Sequence, residues 1–358
     1  VMVNWLMNDR PFTAFEELAI GIMDRLLMGT TSSILRKTLT ESGLGEAIVG
    51  GGLSDELLQA TFSVGLKGVK SEDVEKVEQL IYDTLNKVVA EGFDADDIAS
   101  SMNTVEFQLR EFNTGSFPKG LSFMLGAMSK WLYDESPTEA LKFEKPLAEL
   151  KAKIAESGSQ VFQDLIKEFI VNNTHRTTVE LVPSKTLEAE ETKEEQDRLA
   201  KIKQSLSDSE LENIIETTKK LKELQGSEDS PEERATIPAL ELKDLKRETT
   251  EYPIAVSKNE NGSGVTVLRH ELASTSGIAY AVLAVDLSSI AVDDIPLLPI
   301  FTRIMMETGA GPYDQVALSR QIGIHTGGID VSTLTTAVHP TGSDPSKVLD
   351  GNHLQTKL

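Results

Sequence analysis

The chain carries five histidines, His175, His270, His325, His339 and His353, and no cysteine. With so few soft ligands, any metal chemistry must show itself in spacing. A hydrolytic zinc site on a helix needs two histidines on one face and a carboxylate base. Its pattern is H-E-x-x-H or the inverted H-x-x-E-H. Neither occurs. His270 stands beside Glu271 in "RHEL", but no second histidine follows at helical spacing, and the surrounding residues alternate as in a strand. It reads as a surface or strand-edge histidine. The lack of cysteine excludes disulfides and thiolate metal sites.

Other chemistries also lack their signatures. There is no G-x-S-x-G elbow and no G-x-x-x-x-G-K-[ST] phosphate loop. "GSG" at Gly262 to Gly264 reads as a turn entering a strand. "VGGGL" and "TGG" are glycine clusters beside strands, the composition of bulges or close backbone approaches. The formal net charge is −22, and lysine and arginine are scattered, so nucleic acid is not an expected partner. An acidic surface first serves solubility, and it would also attract basic peptides.

The elements that would position a site fall into three regions. In the first, Val1 to about Pro183, Phe15, Leu18, Ile22, Leu26 and Leu27 keep helical spacing from Ala14 to Met28. A "GTTSS" turn follows, then a short helix in "SILRKTLTESGLG" that ends at Gly43 to Gly45. "AIVGG" and "LLQATFSVGLKGV" read as strands. Ser71 and Asp94 start long helices, with acids set against the positive helix ends. More helix is expected through Trp131 and from Pro146 to Ile170, and "RTTVELVP" reads as a closing strand. The implied class is α+β, with helices on one face of a mostly antiparallel sheet.

The second region, about Ser184 to Glu233, holds 15 acidic and 8 basic residues from Lys185 onward. Leu199, Ile202, Leu206, Leu211, Ile214, Ile215, Leu221 and Leu224 still keep an apolar stripe, and Ser207 with Glu210 forms a capping-box pattern. This predicts a charged helical hairpin followed by a loop. In the third region, "GVTVLRHEL" and "GIAYAVLAVDL" read as paired strands, "DDIPLLPIFTRIMMETG" and "YDQVALSRQIG" as helices, and "GGIDVSTLTTAV" as a strand. The segment "PLLPIFTRIMM" is apolar around much of its helix, the pattern of a core helix. No run of about 18 apolar residues predicts a membrane span. The opening "VMVNWLM" reads as a strand already under way, so the chain is expected to be a piece of a longer one.

Regions one and three share an order of helix, glycine turn, short helix ending in glycine, paired glycine and strand. Gly29 pairs with Gly309 and Gly43 with Gly323, both at an offset of 280. Two related domains joined by a helical linker explain this most simply.

Long stretches also resemble the presequence proteases, organellar members of the pitrilysin-like zinc metallopeptidases. They include "LMGTTSSILRKTLTESGLGEAIVGGGLSDELLQATFSVGLKGV", "SMNTVEFQLREFNTGSFPKGLSFM", "KWLYDESPTEALKFEKPLAELK" and "LSRQIGIHTGGIDV". The resemblance runs from about Val1 to Val338. It implies two homologous pitrilysin-like domains, 1–183 and 234–358, joined by the hairpin 184–233. These would be the second and third of four domains closing around a peptide chamber. The zinc helix and its partner residues would lie in the first and fourth domains, so no catalytic or metal residue is carried over to this chain. Counting back from Gly309, the zinc-ligand positions fall on Ile300, Arg303 and Ile304, a degenerate set. The resemblance implies zinc in the full-length enzyme only, short basic presequences as substrates, a monomer, and a mitochondrial or chloroplast location. Two rival readings are a catalytically dead structural subunit of the same fold and a helical-hairpin interaction module.

Overall fold

The computed structural model describes residues 1–358 except 246, 249–251, 259–265, 273, 288, 338–353 and 358. The Gly262 to Gly264 turn, His339 and His353 lie outside the described residues. Two compact units form, one of Val1–Glu180 with Ser274–Leu358 and one of Leu181–Ala273.

The first unit opens with β1 (Met2–Leu6), whose Val3 and Trp5 are fully buried between half-exposed neighbours. Helix α1 (Ala14–Asp24) starts at a capping box, in which the Thr13 hydroxyl accepts from the Glu16 N–H and the Glu16 carboxylate accepts from the Thr13 N–H. It runs on into one π-helical turn, Arg25–Gly29. Then come α2 (Ile34–Glu41), β2 (Ala47–Ser54), β3 (Thr61–Lys67), α3 (Val74–Glu91), α4 (Ala95–Glu111), α5 (Lys119–Trp131), α6 (Glu144–Ser157), α7 (Gln160–Ile166) with a further π turn, and β4 (Arg176–Val179). The "LLQA" residues expected to open β3 stay outside it, and Leu57 is 70% exposed.

The four strands form one antiparallel sheet in the order β2-β3-β1-β4. Its register sets Trp5 opposite Phe62 and Met2 opposite Val179. The inward residues Trp5, Phe62, Val64 and Leu66 pack with Ile20, Leu35, Ile81, Leu85 and Phe162 into one core. Each such side chain contributes roughly 1.5–3 kcal/mol of burial. Trp5 also meets the Tyr82 ring edge-on at 5.9 Å. The stretch 14–41 is long and apolar enough to match a membrane helix by composition. The chain breaks it at the turn 30–33, and its Ala19, Ile20, Ile22, Met23 and Leu27 belong to this core.

The second unit contains α8 (Leu187–Ser205), α9 (Asp208–Gly226), the short α10 (Pro231–Arg234), β5 (Ile254–Lys258) and β6 (Thr266–His270). The capping box of Ser207 and Glu210 starts α9 as expected. The apolar stripes stay open, with Ile215 67% and Leu224 71% exposed. Strand β6 pairs antiparallel with β5, Val256 opposite Leu268. This corrects the expected pairing of "GVTVLRHEL" with "GIAYAVLAVDL". The latter forms no named strand among the described residues, and its Val282 is 92% exposed. Alternation marks a segment as strand-like, but it does not choose the partner.

The rest of the first unit holds α11 (Leu298–Glu307), α12 (Gln315–His325), β7 (Leu334–Ala337) and β8 (Leu354–Lys357), the last two paired antiparallel. The core reading of α11 is corrected here. Leu298 and Thr302 are buried, but Ile300, Phe301 and Ile304 are half exposed or more. An apolar pattern shows that a helix can be covered, not which segment covers it.

Candidate functional site

The residues singled out for metal chemistry stay apart. Ile300 and Ile304 lie on α11, 57% and 50% exposed, and the Arg303 guanidinium donates to Glu307 at 2.9 Å. Two hydrocarbons and a guanidinium offer zinc no lone pair, so these side chains do not fit the ion. His270 ends β6, exposed, with Nδ1 3.2 Å from the Pro253 carbonyl. His175 precedes β4 and His325 ends α12. Among the described residues, no group of three or more histidine, aspartate or glutamate side chains could hold a metal ion.

The structure instead builds a polar cleft of about 390 Å³ within the first unit. One wall is the turn after α1. There the Ser33 hydroxyl donates to the Arg25 carbonyl at 2.9 Å and accepts from the Thr30 N–H at 3.0 Å. This closes the "GTTSS" turn and satisfies groups left over by the π-helical turn, a distortion often met at functional sites. Gly29 has no side chain, and the aliphatic stem of Arg25 lies where a Cβ would stand.

The second wall is the start of α4. Asp94 caps it by accepting from the Asp96 N–H at 2.8 Å. The third wall is α12, seated on α4 by close backbone approach. A Cβ on Gly323 would collide with the Ser100 hydroxyl, and one on Gly327 with the Phe107 ring. Asn103 fastens the contact, its amide donating to the carbonyls of Gly323 at 2.8 Å and Thr326 at 2.9 Å. Arg320 of α12 pairs with Asp97 of α4 at 2.8 Å. Burial pushes the Asp97 carboxyl up, and the Arg320 charge opposes that shift. Gly323 was expected to end a helix like Gly43. It sits inside α12 instead, required for packing, whereas Gly43 follows α2 at φ +67.

A partly buried carboxylate flanks the cleft wall. Asp24 ends α1 and accepts from the Leu53 N–H at 3.0 Å. Burial, more than the charge of Asp55, pushes it up to about 6, and the Leu53 hydrogen bond opposes the shift. Asp55 is itself raised, chiefly by burial. Sequence reasoning passed over Asp24 and Arg25. The available signal was a charged pair interrupting the apolar run "IGIMDRLLMG".

Comparison with known proteins decides the family. The family described as "Peptidase M16 inactive domain" matches residues 1–105. A second family, the associated domain of the C branch of the M16 peptidases, matches residues 181–357. The chain is 46% identical, over 97% of its length, to presequence protease 1, chloroplastic/mitochondrial, of Arabidopsis thaliana. It belongs to the M16 peptidases of the presequence-protease kind. Protein HypA of Clostridium perfringens is 35% identical over 89% of the chain, and the mitochondrial presequence protease of Yarrowia lipolytica is 28% identical over 92%. This M16 chain spans about a third of those relatives, 32% of each. Its α+β fold, an antiparallel sheet backed by helices, is the expected one.

Proposed function

We propose that this M16 chain is the non-catalytic centre of a zinc metallopeptidase that degrades presequences and other short unfolded peptides in a closed chamber. Residues 1–183 would be the second pitrilysin-like domain, 184–233 the hairpin hinge and 234–358 the third domain. The supporting observation is the 46% identity, across nearly the whole chain, to a presequence protease. In the full-length protein, an H-x-x-E-H helix outside this segment would hold the zinc, which supplies an activated water. Ile300, Arg303 and Ile304 are the degenerate counterparts of that helix. The segment's role is then to enclose substrate. Its net charge of −22 favours basic, acid-poor presequences. A mitochondrial or chloroplast location fits the names of the presequence-protease relatives, and a monomer is part of the same proposal.

The test is peptidase activity with and without a chelator, on this chain and on the full-length protein. Activity confined to the full-length protein, lost on chelation and restored by zinc, is the expected result. Zinc-dependent activity in the 358-residue chain alone would overturn the reading. Inactivity in both would favour a structural subunit.

A further inference from the structure

We propose that the cleft between the α1–α2 turn, α4 and α12 is a binding site for the C-terminal carboxylate of a short peptide. Two unpartnered groups line it. The Arg25 guanidinium is half-buried and has no hydrogen-bond or ion-pair partner among the described residues. Burial lowers its pKa, and no neighbouring carboxylate offsets that effect. The Ser101 residue is 8% exposed, and its hydroxyl has no partner among the described residues either. A partly desolvated cation without a counter-charge is costly unless a ligand satisfies it, and the Ser101 hydroxyl is a second free donor lining the cleft.

The charge balance selects the ligand. Asp94 and Asp97 also line the cleft, so with Arg25 and Arg320 its formal charges cancel. Arg320 is engaged by Asp97, and Asp94 caps α4. Arg25 is therefore the cleft cation without a direct partner among the described residues. A monoanionic carboxylate can pair with Arg25 while adding the least negative charge beside the two aspartates, whereas a dianionic phosphate adds twice as much. A guanidinium binds a carboxylate through two parallel N–H donors. The hydroxyls of Thr30, Ser32, Ser319 and Thr326 line the remaining surface and can bond peptide amides. The peptide identity of the ligand rests on the proposed peptide-degrading function. The anion site itself rests on Arg25 and Ser101.

The experiment is calorimetric titration of the 358-residue chain with N-acetyl-trialanine as the free acid, with its C-terminal amide, and with inorganic phosphate. The free acid should bind at least about tenfold more tightly than the amide, the value of one charge-assisted contact. Arg25→Gln, which keeps the stem over Gly29, should abolish that preference, and Arg25→Lys should restore part of it. Ser101→Ala should weaken the acid several-fold without changing the thermal midpoint. Equal binding of acid and amide, or an unchanged preference in folded Arg25→Gln, would overturn the site. Phosphate binding more tightly than the acid would overturn the carboxylate assignment. This titration is independent of the chelator test, because it reads binding and not turnover. Proteolysis by the full-length protein without acid preference here would refute only this inference.

Discussion

Asp24→Asn is the most informative single change in the core. The Asp24 carboxyl is partly buried between the end of α1 and the bulged strand β2, and that burial raises it from 3.8 to about 6. The sign follows from linkage. Below about pH 3 the group is neutral in both the folded and unfolded states, and its burial carries no charge penalty. As pH rises the unfolded chain ionises first, and stability is lost until pH passes about 6. A shift of that size corresponds to about 3 kcal/mol. Asparagine keeps an oxygen that can accept from Leu53 and removes the titration. Its own packing effect is independent of pH. The stability of the variant relative to wild type should therefore climb by about 3 kcal/mol between about pH 3 and pH 7. Urea unfolding followed by Trp5 fluorescence reads it, since Trp5 is fully buried in the same core. Glu16, held down to about 2 first of all by its Arg10 hydrogen bond, acts with the opposite sign but is common to both proteins and cancels. A difference that stays flat across this range, or falls with pH, would refute the assignment of Asp24 as a desolvated acid. Asp55→Asn should move the midpoint of the climb downward, because the Asp55 charge adds to the shift.

Gly52→Ala should destabilise the first unit by at least about 2 kcal/mol, because φ is +75 and the new Cβ would strike the Asp24 carboxylate. Gly51→Ala, one residue away in open space, should change stability by no more than roughly 0.5 kcal/mol, and urea midpoints compare the two. Asn103→Ala removes two donors that fasten α12 to α4 and should cost roughly 1–3 kcal/mol locally. Amide exchange in α12 should then accelerate at least tenfold, while α3 stays protected. The triple change Ile300→His, Arg303→Glu, Ile304→His writes H-x-x-E-H onto a half-exposed helix face. It should gain zinc affinity measurable by equilibrium dialysis but no peptidase activity, since two histidines fill half a tetrahedral shell.

Much of the fold was legible because it is encoded locally. Capping chemistry placed the starts of α4 and α9, with Asp94 and Ser207 at the caps. Alternation found Phe62, Val64 and Leu66 on the buried face of β3. What failed was long-range choice. The strand pattern of "GIAYAVLAVDL" said nothing of its partner, and β6 paired with β5 instead. The cleft was illegible for the same reason. Its groups come from positions about 25, 100 and 320, and only packing brings them together. Arg25 reads in sequence as one more charge on an amphipathic helix. It becomes a candidate ligand group only once the fold leaves it half-buried without a counter-charge.

The 280-residue offset gives α11 a further physical meaning. The register that pairs Gly29 with Gly309 also pairs Ile20 with Ile300, Met23 with Arg303 and Asp24 with Ile304. In α1 that face is inside the core, Ile20 1% exposed and Met23 fully buried, and its one carboxylate is desolvated toward neutrality. In α11 the same face is open and carries a charged arginine. The paired positions thus differ in surroundings, one set packed and one set open, and neither presents a pair of neutral ligands with a base between them. A helix position that serves a core must lose its polarity or hide it. A position that faces solvent is free to vary. Neither set of side chains therefore fits a zinc ion, one because it is packed and apolar but for a single carboxylate and the other because it carries a guanidinium between two hydrocarbons.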